Sequence, residues 1–125
     1  MISMEANIID VLEEDQELAV LLEVTSEWWK IHRYYVPGGH SEAYPYIRVI
    51  ELDNADVHFA NNSATASSIP VQIDLWTKGD PAPLQRKIDE VMKSLGYGRS
   101  GVASFFDEEN KVIRKALRYN NVFEL

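Results

Sequence analysis

The chain has no cysteine. That excludes disulfide bridges, thiolate nucleophiles and thiolate-bound zinc together. It has no run of about 18 apolar residues, the length a membrane-spanning helix needs. Its three histidines, His32, His40 and His58, form no His-x-x-x-His or His-Glu-x-x-His spacing. A metal site would therefore have to be assembled from distant strands. Basic residues are few: 12 Lys plus Arg stand against 20 Asp plus Glu, a formal charge of −8. So acidic a chain repels phosphate backbones, which argues against specific nucleic acid as a partner and against base stacking as the use of its aromatics. Residues 1–7 lack the basic and apolar regions of a signal peptide, and the expectation is synthesis in the cytosol.

What remains is enough for one core. At 125 residues the sequence fits a single domain, 1–125, burying about two-thirds of its unfolded surface. Residues 4–22 read as two helical segments: Ile8, Ile9, Val11 and Leu12 line the first, and Asp15 caps a second carrying Leu18, Leu21 and Leu22. The acids at Glu13–Asp15 and Glu17 read as a solvated break, since no Asp-x-Asp-x-Asp-Gly loop is present. Trp28–Val36, aromatic and β-branched, predicts a strand ended by Pro37-Gly-Gly39. Tyr46–Leu52 predicts another, with Tyr46, Arg48, Ile50 and Leu52 on one face and Ile47 and Val49 on the other. Asp53–Ser68 is small, polar and weakly patterned. It reads as a long loop, or as two ragged strand ends around a tip, and His40 and His58 are expected in loops.

The clearest pattern is the alternation of Ile69, Val71, Ile73 and Leu75 with Pro70, Gln72, Asp74 and Trp76. Asp80 then serves as an N-cap with Pro81 at the first helical position. Leu84, Ile88, Val91, Met92 and Leu95 form one apolar stripe, and Gly96 and Gly98 end the helix. The last stretch is open on periodicity. Val112, Ile113, Ala116 and Leu117 fit a helical stripe slightly better than a strand, whereas Asp107–Asn110 reads as a turn closing a hairpin.

No constellation carries chemistry. Gly98-Arg-Ser-Gly101 lacks the Gly-x-Ser-x-Gly spacing of a nucleophile elbow, and Gly38-Gly39 is followed by no Gly-Lys-Ser/Thr. Asp53 and Asp56 have no pocket to pair them. Lys111, Arg114, Lys115 and Arg118 read as a solvated basic face. Trp28, Trp29, Trp76, Tyr34, Tyr35, Tyr44 and Tyr46 serve mainly a core and partly an interface. The expectation is a protein that is not an enzyme and holds no cofactor or metal.

Three motifs in order carry a resemblance. Tyr44-Pro-Tyr-Ile-Arg-Val-Ile50 resembles the Pro-Tyr/Phe-Val entry to the first long strand of the siphophage tail-terminator family, the tail-completion or minor tail components. Val71-Gln-Ile-Asp-Leu-Trp76 resembles that family's Val-Gln-Ile-Asp-Val-Trp strand, which a short turn and a helix follow. Phe106-Asp-Glu-Glu-Asn110 with Lys115-Ala-Leu-Arg-Tyr119 resembles its closing hairpin, which favours the hairpin here. A leading helix ending in Asp15-Gln-Glu-Leu-Ala-Val-Leu-Leu22 precedes them, so the likeness covers residues 4–120.

The resemblance implies an α+β fold, a single antiparallel or mixed β-sheet of about four or five strands with two helices packed on one face, in the order α-β-β-β-α-β-β. It implies a structural virion protein, made in the bacterial host cytoplasm and placed in the virion tail. There a homo-hexameric ring caps the tail tube, stops its polymerisation and joins it to the head–tail connector protein. The implied partners are further copies of the chain, the tail tube protein and the connector; no membrane is involved. The alternatives are another head–tail connector or tube component, or a small soluble α+β binding domain. The expected interface residues are Asn54, His58, Phe59, Asn61 and Asn62 in the Asp53–Ser68 arm, with Trp28, Trp29 and Arg118.

Overall fold

The alternating segment becomes β5 (Val71–Thr77), the middle strand of a five-stranded sheet in the computed structural model, which describes residues 4–25, 30–52, 55–60 and 63–124. Its neighbours are β2 (Tyr46–Glu51) and β7 (Val112–Asn120), both antiparallel to it. β1 (Ile31–Arg33) pairs in parallel outside β2, and β6 (Gly98–Asp107) closes the other edge against β7, giving the order β1-β2-β5-β7-β6. The sheet is mixed and the class is α+β, as the sequence implies.

Alternation assigns the two faces. Ile47, Val49, Val71, Ile73, Leu75, Leu117 and Tyr119 point to one side and form a single core with the helices. The helices are α1 (Glu5–Glu14), α2 (Gln16–Leu21) and α3 (Ala82–Ser94). Ile8, Ile9 and Leu12 of α1, Leu18 of α2, and Leu84, Ile88, Val91 and Met92 of α3 supply their side of the core. Each such large side chain contributes about 1.5–3 kcal/mol on burial, before entropy costs. The break between α1 and α2 sits where Asp15 was expected to cap: its Oδ1 accepts from the Leu18 N–H at 2.9 Å. Asp80 accepts from Ala82 N–H at 3.0 Å, and Pro81 next to it has already helical φ and ψ. Gly96, at φ +87, closes α3 with bonds from Gly96 N–H to Lys93 O and from Tyr97 N–H to Met92 O, a Schellman-type end.

Some expectations change and the open ones resolve. Among the described residues the Trp28–Val36 strand is reduced to Ile31–Arg33, ending at Tyr34, which still donates its N–H to Val49 O at 3.3 Å but turns the chain away at φ +69; Trp28 and Trp29 lie outside the described residues. At 112–117 the structure takes the favoured hairpin over the helical spacing: the stretch is β7, paired antiparallel with β6. Asp107 decides this turn by accepting from Glu109 N–H, Asn110 N–H and Asn110 Nδ2, and Asp74 across β5–β7 needs a strand there. Of the two readings of Asp53–Ser68, a long loop or strand ends around a tip, the structure has the second, a hairpin of β3 (Ala55–Ala60) and β4 (Ser63–Ser68), so His58 lies in a strand rather than a loop. β8 (Val122–Glu124) pairs with β4 to make a second, three-stranded sheet, β3-β4-β8. Pairing rather than side-chain pattern specifies these strands. The register of β5 on β7 (Val71 opposite Tyr119) continues unbroken into β4 on β8 (Ser68 opposite Val122). Pro70, which has no N–H to give, marks the join, and its carbonyl accepts from Leu52 N–H at 2.9 Å.

Gly96→Ala should cost about 1–2 kcal/mol in urea unfolding, because its backbone is left-handed and a Cβ there would meet Asn121 Nδ2 at 2.8 Å. Gly38→Ala, with nothing within 4 Å of an added Cβ, should stay within about 0.5 kcal/mol of the parent.

Candidate functional site

Among the described residues no helix contributes to the opposite face of the five-stranded sheet, and the strand registers build it in rows. Arg48, Asp74, Ala116 and Ala103 lie across β2, β5, β7 and β6. The next row is Tyr46, Trp76, Arg114 and Phe105, and on the other side lies Ile50, Gln72, Arg118 and Gly101. His32 of β1 stands beside Arg48.

Asp74 is the centre of this arrangement and has no exposed surface. A carboxylate in that position is unstable unless paired and hydrogen-bonded. Both of its oxygens are used. Oδ2 accepts from Arg48 Nε at 3.1 Å and from Arg48 Nη2. Oδ1 accepts from Arg114 Nη2 at 3.0 Å and from Gln72 Nε2 at 2.9 Å. Gln72 in turn accepts from Arg118 Nε at 3.1 Å. One buried acid thus ties three strands together.

The row beside it is a stack. Tyr44 lies on Tyr46 with ring centroids 5.4 Å apart, and Tyr46 lies on Trp76 at 5.0 Å. Arg48 and Arg114 sit over the Trp76 ring at 5.5 and 5.4 Å, and Arg114 also covers Phe105 at 5.3 Å. Lys78 caps the far end over Tyr44 at 5.5 Å. Cation–π contacts of this kind stabilise by about 0.5–1 kcal/mol each at exposed positions and more when desolvated. Where the stack reaches the β6–β7 turn, Tyr46, Trp76, Phe105, Phe106 and Arg114 line a cleft of about 460 Å³, with Glu42 and Asp107 at its rim.

The loop between β1 and β2 closes one margin of the face. Lys30 Nζ donates to Ala43 O at 2.7 Å and to Pro45 O at 3.1 Å, and Tyr46 Oη donates to Ser41 O at 2.8 Å. Burial pushes the Tyr46 hydroxyl up to about 12, so it remains a donor. His32 packs edge-on against His40 and Tyr46 at 5.7 and 5.8 Å, and its Nε2 has no hydrogen-bond partner. Burial first, then His40 and Lys30 close by, hold its pKa below the ordinary value.

Of the residues expected at an interface, Arg118 is on this face, exposed, with its guanidinium on Gln72. His58 and Phe59 lie in β3, in the second sheet. Trp28, Trp29, Asn54, Asn61 and Asn62 lie outside the described residues. The basic cluster divides: Lys111 and Arg118 are exposed, whereas Arg114 is committed to Asp74. Sequence reasoning missed Arg48, Asp74, Trp76 and Phe105 as one surface. The signal was an aspartate at the middle of an otherwise apolar strand, which demands cations from both neighbouring strands. Chemically the face offers guanidinium, indole and phenyl groups to a partner, and its one buried carboxylate is already saturated. Among the described residues no group of three or more His, Cys, Asp or Glu is placed to hold a metal ion.

No protein-family model and no curated protein matches the chain. Among solved structures, a chain from the "Virion of native gene transfer agent (GTA) particle" is similar with a TM-score of 0.71 and 17% identity, over 98% of this chain and 96% of that one. The likeness is one of fold along the whole length.

Asp74→Asn should destabilise the protein by about 2–3 kcal/mol in urea unfolding; breaking a buried pair costs about 3–5 kcal/mol, reduced here because water reaches both arginines. His32 binds its proton more weakly folded than unfolded, so its contribution to stability is full above pH 6.5, the unfolded value, and is lost as pH falls through the lower folded value. His32→Gln should flatten that acid limb in melts between pH 7 and pH 5.

Proposed function

We propose that this chain is a structural protein of a phage-type virion, and more narrowly the protein that caps the tail tube. The observation that carries the coarser reading is the full-length likeness in fold to a chain of a gene transfer agent virion. The narrower reading is supported by the order of the three motifs: the strand opened by Tyr44-Pro-Tyr46, the strand Val71–Trp76 followed by its helix, and the closing hairpin around Asp107–Asn110. In this reading copies assemble as a hexameric ring that stops tube growth and joins the tail to the head connector. It acts without catalysis, in the virion tail, after synthesis in the bacterial cytoplasm. The β3–β4 hairpin, with Asn54, His58, Phe59, Asn61 and Asn62, is the arm that reaches virion partners, alongside Trp28, Trp29 and Arg118. Heterologous contacts close into rings when the rotation between neighbours closes.

The test is mass by light scattering after size exclusion, over a range of concentrations, with and without isolated tail tubes. A closed ring, or a monomer that binds tube ends alone, is the expected result. Spontaneous tubes would identify a tube component instead, and a monomer indifferent to tubes would overturn the tail assignment.

A further inference from the structure

We propose that the outer edge of β6 docks the β6 strand of a second copy, antiparallel, about a two-fold axis through Ser104, so that two five-stranded sheets become one of ten. The contact goes beyond the tail-cap reading and does not rest on it. An isologous contact closes on itself, so it pairs two monomers or two rings and builds no ring.

The edge is open. β6 ends the order β1-β2-β5-β7-β6, and among the described residues β7 alone pairs with it. The registers identify which of its backbone groups are left over. Ile47 N–H donates to Lys30 O and Tyr34 N–H to Val49 O, so odd-numbered residues of β2 turn their backbone groups to β1. Leu52 N–H donates to Pro70 O, so even-numbered ones turn to the β5 side. This direction alternates along each strand, and antiparallel residues that exchange bonds stand opposite each other. Carried through Arg48 opposite Asp74, Ile73 opposite Leu117 and Ala116 opposite Ala103, the odd-numbered residues from Gly101 to Asp107 bond β7. Val102, Ser104 and Phe106 therefore point N–H and C=O out of the sheet.

The usual guards of an edge are Lys, Pro, charge and bulges. The bulge of β6 lies between Arg99 and Gly101 and leaves residues 101–107 regular. Residues 100–106 carry no charge and no proline, and Val102, Phe105 and Phe106 are 40%, 52% and 56% exposed.

Length and register select a second β6 as the occupant. The other outer strands, β1 and β8, have three residues each, and β3 has six. With Ser104 opposite Ser104 of the second copy, Val102 meets Phe106 on the helix side of the sheet and Ala103 meets Phe105 on the bare side, each twice by symmetry. Gly101 meets Asp107, and Arg118 is the next residue of that row on β7. Gly101 has no side chain to separate the guanidinium from the second copy's carboxylate. A slip by two residues one way sets Val102 against Glu108; the other way sets Phe106 against Ser100 and loses the Arg118–Asp107 match. The three outward residues on each strand exchange about six hydrogen bonds. So small a contact lies at the weak end of interfaces, below about 1,200 Å², and forms as concentration rises.

Light scattering over a concentration series should show the mass doubling, from monomer to pair or from ring to paired rings. A mass constant up to the solubility limit overturns the pairing. Where the mass has doubled, amide exchange at Val102, Ser104 and Phe106 should slow at least ten-fold, with Ala103 and Phe105 unchanged; no slowing overturns it. Because the chain has no cysteine, the register can be trapped. Val102→Cys and Phe106→Cys, mixed and gently oxidised, should give the mixed disulfide at least ten-fold above either homodimer, since opposed residues lie about 5.5 Å apart, within disulfide reach. Slowed amides without that product mean another strand holds the edge, and overturn the proposal. Ser104→Pro removes an outward N–H and spares the β7 ladder; it and Val102→Lys should each raise the concentration of half-doubling at least ten-fold. Val20→Lys, at a 77% exposed position on α2, should leave it unchanged, and equal effects of all three overturn the proposal. Circular dichroism melts establish that each variant is folded.

Discussion

Asp74 carries a charge at the middle of the central strand, with no surface open to water, and the arrangement around it follows from that constraint. Desolvating a carboxylate costs several kcal/mol unless cations and donors replace the lost water. Arg48 from β2 and Arg114 from β7 come from opposite sides, and Gln72 fills the remaining position on its own strand. Strand order β2-β5-β7 is therefore the order that satisfies the acid. A register slip by one residue on either side would turn an arginine into the apolar core and leave Asp74 with a single cation.

The same pairing shapes the surface. With their ends held by Asp74, the arginines sit over Trp76, and Arg114 bridges to Phe105. Side chains that would otherwise sample many rotamers are ordered before any partner arrives. Such preorganisation lowers the entropy cost of association. The two sides of the sheet are thus specialised: one is closed by helices and apolar, the other presents arginines and aromatic rings held in register by one buried acid.

Much of this was legible in the residues. The period-two run at 69–76 fixed both the central strand and its faces, and the stripe from Leu84 to Met92 fixed α3. Asp15 and Gly96 marked helix ends through local chemistry that tertiary contacts did not override. Three things were not legible. β4 is made of Ser, Ala and Thr, whose pattern says little, and β3 is a short run of Ala, Asp, Val, His and Phe; backbone pairing of β3 to β4 and of β4 to β8 defines them as strands. By periodicity alone β7 was blurred by a helical spacing of Val112, Ile113, Ala116 and Leu117, and it was the acidic turn and the resemblance that favoured the strand; local period is a weaker constraint than the cross-strand partner of Asp74. And the face itself was hidden because its members, from Tyr46 to Arg114, are brought together by register alone.

The unbroken register from β5–β7 into β4–β8 has a mechanical consequence. Tension applied through the β3–β4 hairpin runs along β4 directly into β5, parallel to the strand axis. Ladder hydrogen bonds stand perpendicular to the strands, so a pull in that direction loads the β5–β7 bonds in shear, all together. Peeling would break them one at a time. The second sheet is therefore anchored to the central strand in the geometry that resists force best.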